Sequence, residues 1–151
     1  MVILCDTREQ QPLKFSHRFI TDVAKKKLDF GDYGCKFRDG FVVPIVFERK
    51  SMGDLYGTMG TGYKRFKKEI VRSQEAKATL FIIVEGSLTD VGKGYKHSKI
   101  YGRSMKQKLF TLWVKHGIQT IFTSSRKEMA EYITQFYLAC GRQHITKQET
   151  R

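Results

Sequence analysis

Several things are scarce in this chain, and each scarcity excludes something. Cysteine occurs only three times (Cys5, Cys35, Cys140), with no C-x-x-C pair. An odd count argues against a disulfide framework, and the missing paired spacing argues against a structural zinc site. His17, His97, His116 and His144 are scattered and form no local ligand pair. There are two prolines, Pro12 and Pro44, and no Gly/Ser/Pro-rich stretch divides the chain. The longest clean apolar run, residues 80–84 (LFIIV), falls far short of the roughly 20 residues of a membrane span. Residues 2–5 give way to Asp6 too soon for a signal-peptide core. A reducing, intracellular location is expected. Acid is scarce too, with no Asp or Glu between positions 91 and 127.

What the chain does have is a folding composition and a large positive charge. Of 151 residues, 40% are hydrophobic and 13% aromatic, enough for one domain with a real core. Lys and Arg number 28 against 15 Asp and Glu, a formal net charge of +13. That imbalance favours a polyanionic partner, nucleic acid first and an anionic membrane surface second.

Along the chain, residues 2–5 read as a short buried strand and 17–26 as a weak helix. Residues 33–38 and 41–50 read as strands joined at Asp39-Gly40, a strong hairpin signal. Ser51 is a plausible N-cap for a short helix through Leu55, with a flexible glycine-bearing loop from Gly57 to Gly62 after it. Tyr63, Phe66 and Ile70 follow at helical spacing, with Lys64, Arg65, Lys67, Lys68 and Arg72 around them. Residues 79–85 form a strand, 104–116 a helix ended by Gly117, and 118–122 a last strand. Ser125 and Glu128 make a capping box for a helix to about Cys140. Strands followed by strand–helix alternation predict an α/β fold around a central mixed β-sheet flanked by helices. A single domain over 1–143 is expected, with 144–151 a flexible C-terminal tail.

The chemistry concentrates at Gly31-Asp32 and Glu48-Arg49-Lys50. Alternation along a strand sends Glu48 and Lys50 to one face and Arg49 to the other. A hard cation such as Mg²⁺ takes one or two carboxylates, completed by waters and substrate phosphate. Asp32 and Glu48 supply those carboxylates if the hairpin returns Asp32 beside the later strand. Lys50 then orients a water or neutralises a phosphate. Taken alone, a Glu-x-Lys on a strand is an ordinary surface ion pair. Asp6 and Asp54 also stand at strand and helix ends, where the competing readings are a turn residue and a first-turn helix residue.

The combination Asp6-Thr7-Arg8-Glu9, Gly31-Asp32-Tyr33 and Glu48-Arg49-Lys50-Ser51-Met52-Gly53-Asp54 resembles the nuclease domain of the XPF/Hef family of structure-specific endonucleases. That family's pattern is Gly-Asp, a variable gap, then Glu-Arg-Lys and an Asp four residues after the Lys. The resemblance implies a restriction-endonuclease-like fold and Mg²⁺- or Mn²⁺-dependent hydrolysis of DNA near branches, flaps or forks. It implies Asp32 and Glu48 as metal ligands, with the Arg49 carbonyl completing them, and Lys50 as the catalytic lysine. Asp6 and Asp54 support the acidic cluster, and Arg8 and Glu9 order it. A family arginine close to the cut strand corresponds here to either Arg65 or Lys64. The roughly ten residues after Arg142 are not expected to form the paired helix-hairpin-helix units common in that family.

The acid-free run carries nine basic residues and has Gly92, Gly94, Gly102, Tyr95 and Tyr101 among them. Glycines let backbone amides approach phosphates, and tyrosines stack on unpaired bases. Residues 92–108 are therefore expected to contact DNA through Lys93, Lys96, Lys99, Arg103 and Lys106. Tyr63, Lys64, Arg65 and Lys68 of the preceding basic helix are expected to do the same. Gly57-x-x-Gly60-x-Gly62 lacks the lysine of a phosphate-binding loop. Surplus apolar residues on the last two helices, Phe110, Val114, Tyr132 and Leu138 among them, predict a homodimer through those helices. Two other functions stay open on the sequence: a non-catalytic DNA-binding module on a nuclease scaffold, and a nuclease acting on RNA.

Overall fold

Residues 80–84 are apolar at every position, which suits a strand covered on both faces. In the computed structural model, which describes residues 1–150, they form the heart of β5 (Thr79–Glu85). Leu80, Ile82 and Val84 enter one core and Ile83, with Phe81 beside it, the other. The remaining strands are β1 (Val2–Cys5), β2 (Asp22–Lys25), β3 (Tyr33–Lys36), β4 (Ile45–Lys50) and β6 (Thr120–Thr123). They make one sheet in the order β2-β1-β3-β4-β5-β6. β3 runs antiparallel to both β1 and β4, whereas β4, β5 and β6 are mutually parallel. The sheet is mixed, as expected.

Helices α1 (Met52–Met59), α2 (Tyr63–Glu75), α3 (Leu88–Gly92) and α4 (Gly102–His116) cover one face through Leu55, Phe66, Ile70, Val91, Met105 and Leu109. The opposite face is covered by α5 (Arg126–Glu149) through Met129, Ile133 and Tyr137. Because β4, β5 and β6 run parallel, their C-terminal ends share one edge. The starts of α1, α3 and α5 follow directly at that edge, where ligands of open α/β sheets gather.

Four expectations need correction. Residues 22–25 form an edge strand parallel to β1, so the helix read at 17–26 is absent. β-branched Thr21 and Val23 suit extended backbone, and pairing with β1 supplies what a weak helix could not. The glycines at 57–62 do not form a flexible loop. α1 continues through Met59, and the Gly62 amide donates to the Gly57 carbonyl at 2.9 Å in a tight corner. α5 runs to Glu149, so residues 144–149 are helical; Asp39 accepts from Gln148 (3.1 Å) and is joined to the His144 ring (2.7 Å), holding this end to the hairpin turn. The α5 capping box is half formed, because Ser125 accepts from the Glu128 amide while the Glu128 carboxylate turns to Ser124. Among the described residues, no helix is long and apolar enough to cross a membrane.

Candidate active site

β4 keeps strict alternation to its end. Val46 faces the core under α1 and α2, Phe47 faces the core under α5, and Glu48 and Lys50 share the parity of Val46. Both therefore open into a cleft of about 370 Å³ also lined by Asp54, Thr58, Thr61, Arg65 and Glu69. Arg49 points the other way and grips Glu9 with two bonds, Nε to Oε2 and Nη2 to Oε1, each 2.9 Å.

The antiparallel register Tyr33↔Phe47 puts Asp32 opposite Glu48 one step further along, the spacing at which cross-strand side chains meet. Asp32 is clamped there from several directions. Its amide donates to the Phe47 carbonyl, its own carbonyl accepts from the Asp6 amide, and its Oδ2 accepts from the Arg49 amide at 2.7 Å. Gly31 makes the turn possible. Its φ of +73° belongs to the left-handed region, and an added Cβ would stand 2.2 Å from Val46 Cγ1. That is why Gly precedes this aspartate.

Lys50 Nζ lies 2.8 Å from Glu48 Oε1. Burial pushes the Glu48 carboxyl up to about 8, with the Asp32 charge adding to it and Lys50 opposing. Burial likewise lifts Asp32 to about 6 against the Arg49 amide bond. Lys50 is drawn down by burial, but the Glu48 charge and hydrogen bond outweigh this and leave it above its ordinary value. At the cleft Glu48, Asp54 and Glu69 thus meet Lys50 and Arg65, with Asp32 opposite Glu48 on the neighbouring strand and Arg49 committed to Glu9.

Glu69 is the site residue that the sequence reading missed. It sits on α2, accepts the Gly31 amide at 2.8 Å, and lines the cleft beside Glu48 and Lys50. One signal for it existed: an acid set among Lys64, Arg65, Lys67, Lys68 and Arg72. Arg65 lines the cleft while Lys64 does not, so the geometry favours Arg65 over Lys64 beside the carboxylates.

Two other acidic residues of the expected cluster are engaged in local hydrogen bonds. Asp6, 1% exposed, accepts from the Arg8 amide, Arg8 Nε and Nη2, and the Leu28 amide. It ties down the loop that leads to Asp32. Asp54 completes a reciprocal cap with Ser51, at the cleft wall.

Most of the basic residues named above lie at the surface. Lys64, Arg65, Lys68, Lys93, Lys96, Lys99 and Arg103 are exposed, and Lys106 is half-buried. Tyr63 is half-buried, with Lys108 Nζ 5.3 Å from its ring centre. Tyr101 is 72% exposed, with the Arg103 guanidinium 5.9 Å from its ring centre. Tyr95 instead packs inward near Tyr56 and is no stacking platform. Gly102 is not a phosphate contact either. A Cβ there would stand 2.2 Å from the Gly92 carbonyl oxygen, so it serves the close packing of α4 against the end of α3.

The donor chemistry fits a hard divalent cation. Asp32 and Glu48 offer oxygen only, and with Asp54 and Glu69 nearby the carboxylates outnumber Lys50 and Arg65. Among the described residues, no three Asp, Glu, His or Cys side chains form a closed metal cage. Mg²⁺ needs none, since it keeps several waters and uses one or two carboxylates with substrate phosphate.

No curated protein sequence matches the chain. Among solved structures, XPF from Aeropyrum pernix superimposes with a TM-score of 0.68 at 24% identity, over 99% of this chain and 69% of that one. XPF from Aeropyrum pernix in complex with DNA gives 0.69 at 23% identity, over 93% and 65%. This chain thus spans about two thirds of their length and shares their fold. The profile of the ERCC4 domain matches residues 5–136, a span that takes in Asp6, Asp32, Glu48, Lys50 and Glu69. By that match the chain belongs to the ERCC4 domain family, and what it carries is a nuclease domain.

Proposed function

We propose that this chain cuts DNA phosphodiesters near branches, flaps or forks, using Mg²⁺ or Mn²⁺ held by Asp32 and Glu48 with the Arg49 carbonyl. The observation that carries this reading is the placement of Asp32 opposite Glu48 across β3 and β4, with Glu48 and Lys50 paired in a cleft that Arg65 of the basic helix α2 also lines. A divalent cation bound there would polarise the scissile phosphate and lower the pKa of an attacking water. The chain's own groups have separable roles. Asp32, fixed by the Arg49 amide, and Glu48 are the residues that would hold the cation. Lys50 Nζ offers positive charge and a donor to water or to a non-bridging oxygen. Arg65 and the exposed lysines of α2 and of residues 93–99 hold the backbone on either side. The likeness to a solved XPF–DNA complex supports DNA as the partner.

The chain is also proposed to pair with a second copy through α4 and α5. On α4, Phe110 and Trp113 stack at 6.3 Å, 48% and 46% exposed, beside Val114 at 90%. Sedimentation at high micromolar concentration should give a dimer; a monomer refutes the pairing.

The deciding experiment incubates the protein with labelled duplex, splayed fork, flap, four-way junction and single-stranded RNA in Mg²⁺ or Mn²⁺. Cutting of the branched DNAs in preference to duplex and RNA is expected. Asp32→Ala and Glu48→Ala should abolish it while DNA binding survives. Full cutting by both variants sinks the assignment, and preferential cutting of RNA replaces the substrate.

A further inference from the structure

The loop that delivers Asp32, residues 26–32, is held from two sides. One side is the Asp6–Arg8 pair: Leu28 donates its amide to Asp6 and its carbonyl accepts from Arg8 Nη2. The other is α2. Arg72 Nε donates to the Asp29 carbonyl at 3.0 Å, and Glu69 Oε1 accepts the Gly31 amide at 2.8 Å. Gly31 immediately precedes Asp32 and holds a left-handed conformation that glycine adopts freely but that nothing within the loop fixes. Beside it, Val46 leaves no room for adjustment.

We propose that Glu69 is a positioning residue: its carboxylate fixes the Gly31 amide and thereby aims Asp32 at the cation, without itself ligating metal. The inference rests on the nuclease reading for its catalytic consequence but not for its geometry. Glu69 shares the cleft with Glu48 and Lys50, so a ligand role is the natural rival. The hydrogen bond separates the two. What the Gly31 amide needs is an acceptor oxygen, which glutamine supplies as well as glutamate; what a divalent cation needs is the anionic charge, which glutamine lacks. The same helix carries the exposed Arg65 and Lys68, so on the nuclease reading α2 would both meet the nucleic acid and hold the loop of Asp32.

The test compares wild type with Glu69→Ala and Glu69→Gln in two assays. The first is amide hydrogen exchange at Gly31, which needs no substrate. Exchange there should speed at least tenfold in E69A and stay near wild type in E69Q. The second is steady-state cleavage of a branched DNA across a Mn²⁺ titration. E69A should lose about tenfold to hundredfold in kcat, the loss usual for partners that orient a ligand, with KM for DNA within twofold. E69Q should restore kcat and the Mn²⁺ half-saturation to within about threefold of wild type. Unchanged Gly31 exchange in E69A overturns the proposal whatever the activity. So does an E69Q as impaired as E69A, with half-saturation raised tenfold, because that result makes Glu69 a ligand. So does an E69A that melts earlier but keeps its kcat, because that leaves Glu69 purely structural. A wild-type chain that cuts nothing refutes the nuclease reading instead, and the exchange data then decide the hold on Gly31 by themselves.

Discussion

Replacing Gly31 by alanine should cost about 2–5 kcal/mol of folding stability, and the loss can be divided by design. One part is conformational. At φ +73° an L side chain meets the following carbonyl, at about 1–2 kcal/mol. The other part is overpacking. The new Cβ would lie 2.2 Å from Val46 Cγ1 and 3.2 Å from the Phe47 oxygen, where carbon contacts prefer about 3.5–4.0 Å. Val46 is β-branched and stiff at χ1, and the Phe47 carbonyl is already bonded to the Asp32 amide. Neither moves freely, so about 1–3 kcal/mol more is expected. Val46→Ala removes Cγ1 and with it the closest contact, but leaves the φ strain and the 3.2 Å approaches to Val46 Cβ and the Phe47 oxygen. The double variant should therefore be more stable than the sum of the singles, by about 1–3 kcal/mol of coupling. Urea denaturation followed by circular dichroism measures all three differences. Cleavage should fall in G31A, since the displaced segment carries Asp32, and recover in part in the double variant. A G31A loss below 1 kcal/mol, or strictly additive singles, would refute the account of why glycine stands here.

Three further predictions concern charge and burial. In metal-free buffer, the Glu48 carboxyl, raised by burial to about 8, stabilises fully below its unfolded value near 4.5 and loses that contribution as pH climbs through 8. Glu48→Gln should thus gain on wild type by a few kcal/mol between about pH 5 and 8.5, and equal melting temperatures at both pH values would contradict this. Asp6→Ala strands the Arg8 and Leu28 backbone donors while the exposed Arg8 guanidinium returns to water, and about 1–3 kcal/mol should be lost in chemical denaturation; a loss under 0.5 kcal/mol, within about the error of such a measurement, would show the bonds to be dispensable. Burial pushes the Cys35 thiol up to about 12 and also raises Cys5. Iodoacetamide at pH 8 should spare both in the folded protein and label all three cysteines in guanidinium, so fast labelling of native Cys35 would count against the core as described.

Local pattern made much of the site legible. The Asp39-Gly40 turn signal, the alternation of Glu48, Arg49 and Lys50, and the Ser51 cap all depend on neighbours a few residues away. They appear in the structure close to where the sequence puts them. Residues 22–25 went the other way, because an edge strand is made by its partner β1, twenty residues distant. Glu69 was missed for the same reason, since its contact with Gly31 spans 38 positions. Trp113 fits an apolar stripe by spacing but is 46% exposed, as helical period fixes the angle between side chains and not which of them meets a neighbour.

The sequence by itself determined the basic surplus, the Gly-Asp and Glu-Arg-Lys elements and the side of the strand to which each side chain turns, since these follow from composition and from a two-residue repeat. Only the tertiary structure decided that Asp32 faces Glu48, that Arg65 and Glu69 reach the same cleft, and that Asp6 is spent on the loop behind it. Strand order, register and helix docking set those distances, and they are fixed by burial of both sheet faces at once, a condition that no local window of residues contains.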